Sequence, residues 1–134
     1  MRRFSIAVLA LAILGAAVAQ TALARPGPVQ ASIAPEAVLV DEGAAVTIEV
    51  SVKCAGGSDV LEAFVYVSQD EQQSQFVTIP VRCGGKARTY AIRVPAPEGT
   101  VFHAGSATAS GYVLVDKKGS VTSASPSQAL TISS

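Results

Sequence analysis

The chain has 134 residues, in which ten Lys or Arg balance ten Asp or Glu. That balance gives no basic surface for neutralising phosphates, so nucleic acid is not an expected partner. Two cysteines and one histidine are too few to build a zinc or copper centre, and no metal or cofactor is expected.

Residues 1–24 read as a secretory signal peptide. Arg2 and Arg3 supply the positive start, residues 5–19 carry no charge, and Ala22-Leu23-Ala24 offers small residues where a signal peptidase reads. Cleavage is expected after Ala24, with Ala17-Val18-Ala19 as the alternative. The uncharged run is shorter than the roughly 20 residues of a spanning helix, and no basic stop-transfer cluster follows it. The expected product, residues 25–134, is secreted to the medium or the cell envelope, with no membrane span. It carries eight basic against ten acidic residues, a net charge of −2. Its length suits one domain. The short signal and Ala-rich composition suggest a bacterial source.

Beyond the signal no window has helical periodicity; short alternating runs bounded by turn residues take its place. A first strand covers 29–33, is interrupted at Pro35-Glu36, and resumes over 38–40. Asp41-Glu42-Gly43 is a turn. Residues 44–54 give the clearest strand: Val46, Ile48, Val50, Val52 and Cys54 share one face, and Thr47, Glu49, Ser51 and Lys53 the other. Gly56-Gly57-Ser58-Asp59 turns the chain into a strand over 61–69, whose two faces are both partly apolar. Residues 70–74 form a polar hairpin tip. Residues 75–83 alternate again, with Val77, Ile79, Val81 and Cys83 on one face. Pro80 places that strand at an edge or a bulge. Gly84-Gly85-Lys86 turns into a strand over 89–94, and Pro95 to Gly99 connects one sheet to another. A long strand spans 104–115, Asp116 to Gly119 make a hairpin loop, and a closing strand over 121–134 breaks near Pro126.

About seven strands at regular spacing predict an all-β fold: an antiparallel immunoglobulin-like β-sandwich with Greek-key order. A closed barrel is the alternative, but the prolines at the terminal strands and at position 80 need edges, which a barrel lacks. In Greek-key order the 44–54 and 89–94 strands are antiparallel neighbours, which brings the end of one beside the start of the other. Cys54 and Cys83 therefore meet, and in an exported chain they form a disulfide. Antibody-type domains differ: their bridge crosses between sheets onto a Trp, and this chain has no Trp.

Three stretches carry a resemblance: "VTIEVSVKCAGG", "VRCGGKARTYAIRV" and "FHAGSATASGYV", the last fitting F-x-x-G-x-A before an Ala-rich strand. In these the chain resembles small secreted actinobacterial proteins with an immunoglobulin-like domain. The resemblance covers most of residues 25–134 and implies the same fold. It carries over no catalytic or ligand residues.

No catalytic constellation is evident. His103 has no patterned carboxylate or nucleophile beside it in sequence, and no G-x-S-x-G elbow occurs. Asp41-Glu42 and Asp70-Glu71 fall in turns rather than across a cleft. The expectation is not an enzyme but a binding module for an unknown protein or surface glycan, using loops 70–75 and 95–103. The alternative is a small-ligand carrier or an inhibitor of secreted enzymes.

Overall fold

The computed structural model describes residues 29–134; the signal peptide expected over 1–24, its expected cleavage site and residues 25–28 lie outside the described residues. The described chain is all β and its sheet is mixed, built from ten strand segments. These are β1 (Val29–Ile33), β2 (Glu36–Val40), β3 (Ala45–Cys54), β4 (Asp59–Gln69), β5 (Gln72–Gln73), β6 (Val77–Thr78), β7 (Arg88–Pro95), β8 (Gly105–Lys117), β9 (Ser120–Ala124) and β10 (Ser127–Ser133).

The alternation in β3 does what a period of two dictates. Val46, Ile48, Val50, Val52 and Cys54 are buried, while Glu49 and Lys53 face water. Along one edge β3 pairs with β7, from Ala45↔Pro95 to Val52↔Arg88. Along the other it pairs with β1 near Cys54 and with β2 near Ala45. Pro35 is the reason for two segments where one strand could run: it cannot donate to a ladder. Its carbonyl instead accepts from Thr131 N–H at 2.9 Å. β2 then runs parallel to β10, which continues through β8 to β4.

The sheet thus has two arms stitched by β2. In one arm, β3 and β7 bury alternate residues such as Ile48 and Val94. In the other, β4, β8 and β10 bury Val65, Val67, Val113, Val115 and Ile132. All belong to one apolar core. Two arms that each bury one face against the same core must fold over one another, leaving two outer faces. β7 and the β5–β6 segments have no partner on their far side among the described residues, so the sheet is open and not a closed barrel.

Turn chemistry sets the ends. Lys118 and Gly119 both have positive φ between paired Lys117 and Ser120, the geometry of a two-residue hairpin turn. Asp41, Glu42 and Gly43 run together through positive φ. At Gly43 a Cβ would lie 2.5 Å from the Phe102 carbonyl oxygen, while Phe102 N–H donates to Gly43 O at 2.8 Å. The missing side chain lets the turn clasp the segment carrying Phe102, one of the largest fully buried side chains.

The strand expected over 75–83 is corrected. Only Val77–Thr78 are in a strand, and they pair with β4, not with β7. Ile79 N–H still donates to Ala63 O in the register of that pairing, and beyond it the chain leaves the ladder: Val81 N–H donates to Ile79 O, and Arg82 N–H to the Tyr90 hydroxyl. Pro80, without a donor, sits where pairing stops. The expected count of about seven strands also changes, because broken strands and the two short edge segments give ten.

Cys54 and Cys83 are bonded, with Cα atoms 4.8 Å apart. Gly85 N–H donates to Cys54 O at 2.8 Å, which closes the same corner. The bridge ties the last residue of β3 to the segment that crosses between the arms. Among the described residues no helix is long and apolar enough to cross a membrane.

Candidate functional site

The two loops singled out from sequence, 70–75 and 95–103, are joined side by side. Gln69, the last residue of β4, occupies an inward position and is only 1% exposed. A buried amide needs partners for both ends. Its Oε1 accepts from His103 N–H at 3.0 Å, and its Nε2 donates to His103 O at 2.8 Å and Ser106 O at 3.3 Å. Beside it Gln72 Nε2 donates to Val101 O at 3.1 Å. Ser74, also buried, accepts from Val67 N–H and donates to Gln75 O, which fixes how the chain leaves the hairpin.

His103 closes the junction on the solvent side. Its Nε2 lies 2.8 Å from Asp70 Oδ2 and its Nδ1 lies 3.1 Å from Ala104 O. A carboxylate and a carbonyl both accept, so both ring nitrogens are best satisfied as donors, which only the imidazolium provides. The Asp70 hydrogen bond, and after it the Ala104 carbonyl, hold the His103 pKa above its ordinary value of 6.5. Sequence reading found no carboxylate near His103; the fold supplies one from 33 residues away. With both nitrogens engaged, no ring position is free to activate a hydroxyl. The other carboxylate pair is also spoken for in part, since Asp41 binds Arg93 at 2.7 Å. Among the described residues no group of three or more His, Cys, Asp or Glu is placed to hold a metal ion.

Next to this junction lies an aromatic face that sequence reading did not assemble. Phe64 and Tyr66 occupy outward positions of β4, and Tyr112 on β8 sits opposite Phe64 in register. Phe76, between β5 and β6, lies over Phe64 and Tyr66. Its ring is 4.6 Å from Phe64 and within 4° of parallel, and 5.0 Å from Tyr66; Tyr112 is 5.8 Å from Phe64. Phe64, Tyr66 and Tyr112 are half-buried by this packing, whereas Phe76 is 58% exposed.

Phe76 forms a ridge between two open grooves. One, of about 330 Å³, is walled by Phe76, Pro95, Ala96, Pro97 and Glu98. The other, of about 390 Å³, runs past Phe76, Phe64, Leu61, Glu62 and Ile79. Leu61 is exposed because the β4–β8 register shifts between Val60 and Glu62, leaving it as the extra residue of a bulge. The one available signal was the strand over 61–69 with apolar residues on both faces. It marked a covered strand but could not show that Phe76 returns to cover it.

No known protein-family pattern matches the chain, and no curated protein matches its sequence.

Proposed function

We propose that this chain is an exported, non-catalytic β-sandwich module of immunoglobulin-like, Greek-key order, which meets a protein or a surface glycan through the face around Phe76. The strand neighbours support the fold reading: β3 lies between β7 and the β1–β2 pair, and β8 lies between β4 and β10. The disulfide supports export, because such bonds persist in oxidising compartments. Membership among the small secreted actinobacterial proteins it resembles belongs to the same reading.

One observation carries the binding role: a phenyl ring more than half exposed, stacked on Phe64 and tilted against Tyr66, beside two loops fastened together. Covering a Phe side chain contributes about 1.5–3 kcal/mol, and aromatic residues anchor many interfaces. The fastened loops supply a rigid rim, which lowers the ordering cost of association.

The test uses immobilised protein as bait against the envelope and supernatant of the producing cell and against an array of glycans. The wild type retains a partner, Phe76→Ser loses it, and Glu49→Ser on the opposite outer face keeps it. Equal retention by all three baits would remove the assignment.

A further inference from the structure

The charge on the Phe76 grooves narrows the partner. Among the described residues, the only charged one lining the groove by Pro95–Pro97 is Glu98, and the only one lining the groove by Leu61 is Glu62. No Lys or Arg among the described residues lines either groove. Arg93 is paired with Asp41, and Lys117 and Lys118 are at the β8–β9 hairpin. Each groove therefore combines apolar and polar walls with one carboxylate, and the two share a wall of exposed phenyl.

Resting on the binding role above, we propose that the occupant is an extended polypeptide segment of a protein partner. It lays one apolar side chain in each groove astride Phe76, with Lys or Arg near Glu62 and Glu98. Three arguments favour this occupant. Alternate side chains on one face of an extended chain are about 7 Å apart, a spacing suited to straddling a single ring. Lys and Arg gain twice here, by pairing with a carboxylate and by lying against aromatic faces. A second copy of this chain is disfavoured, because an isologous contact on this patch would join surfaces whose lining charges are all acidic.

The experiment pans a displayed library of linear seven-residue peptides against the immobilised protein, with a neutral-glycan array run in parallel. Enriched peptides should carry two apolar residues two positions apart, flanked by Lys or Arg. Synthesised singly, they should bind about tenfold more weakly to Phe76→Ser, as expected for loss of an anchor. Binding to the Glu62→Gln, Glu98→Gln double variant should weaken and lose most of its salt dependence. Enrichment without basic residues, or binding indifferent to both variants, overturns the proposal. If peptides fail but a neutral glycan binds in a Phe76-dependent manner, the polypeptide occupant is wrong and the binding role stands; if neither binds, both fail. Phe76, Glu62 and Glu98 are surface residues, so circular dichroism of each variant should match the wild type.

Discussion

The two outer faces of this molecule are built on the same alternation, yet they differ in kind. Outside the β3–β7 arm stand Thr47, Glu49, Ser51, Lys53, Thr89 and Arg93, a hydroxyl-and-charge surface stitched by the Ser51–Thr89 hydrogen bond and the Arg93–Asp41 ion pair. Outside the β4–β8 arm stand Phe64, Tyr66 and Tyr112, with Phe76 laid across the first two. Inward positions in both arms serve one core and are interchangeable in character. The outward positions are where the arms part. A solvated strand face carries polar residues by default; four aromatic rings gathered on the other face depart from that default, and the proposed binding role rests on this departure.

The comparison breaks first at the covalent staple of the polar arm. The 30-residue loop from Cys54 to Cys83 contributes roughly 3.5 kcal/mol in the chain-entropy account. Cys54→Ala with Cys83→Ala should lower the urea midpoint by far more than any surface change. An unchanged midpoint would show that the corner is held without the bond.

A smaller but still large loss is expected at the junction beside the aromatic face. Gln69→Ala removes hydrogen bonds to His103 N–H, His103 O and Ser106 O and leaves buried groups unpaired. The cost should be about 1–3 kcal/mol by denaturation. Loop 95–103 should also lose amide-exchange protection. Gly43→Ala belongs in the same range, because it adds a side chain at φ +90° against the Phe102 carbonyl. Stability unchanged in both variants would mean that the loops are not fastened as described.

Next comes a contrast of outer-face residues. Phe76→Ser gives up exposed stacking and should cost only about 1 kcal/mol of stability while weakening binding about tenfold. Arg93→Ala breaks an exposed ion pair and should change stability by less than about 1 kcal/mol with binding intact. A binding loss in the second variant and not in the first would invert the assignment of faces.

The smallest effect is at His103. Its folded pKa is raised, so the stabilising contribution of its Asp70 hydrogen bond is full below the unfolded pKa and is lost as pH rises through the folded one. Both side chains are largely solvated, at 59% and 71% exposure, so the readout is titration and not unfolding. The imidazole should titrate above 6.5 by nuclear magnetic resonance, and Asp70→Asn should bring it down toward that value. A histidine that titrates identically in both proteins would contradict the contact.

Much of this framework was legible in the sequence because period-two alternation leaves little choice. The β3 pattern follows from it, the break at Pro35 and the Gly119 hairpin follow from proline and glycine chemistry, and the meeting of Cys54 with Cys83 was expected from the strand order. The same rule misread residues 75–83. Ile79 is buried and Val81 and Cys83 half-buried, as in a strand, but an extended segment crossing between arms gives the same pattern. Only the destinations of its N–H groups distinguish the two cases. At the site, both loops could be named from composition. Their joining could not, since Gln69 reads as a polar strand end until its amide is seen facing His103. Phe76 was likewise hidden, because its role depends on rings brought together by β4, β8 and a loop.

The most direct examination is footprinting of solvent-exposed side chains by hydroxyl radicals, with and without a retained partner. Partner-dependent protection should fall on Phe76, Tyr66 and Leu61 and spare Lys53, Thr89 and Arg93. Protection confined to those last three would put the binding surface on the wrong arm and end the present account.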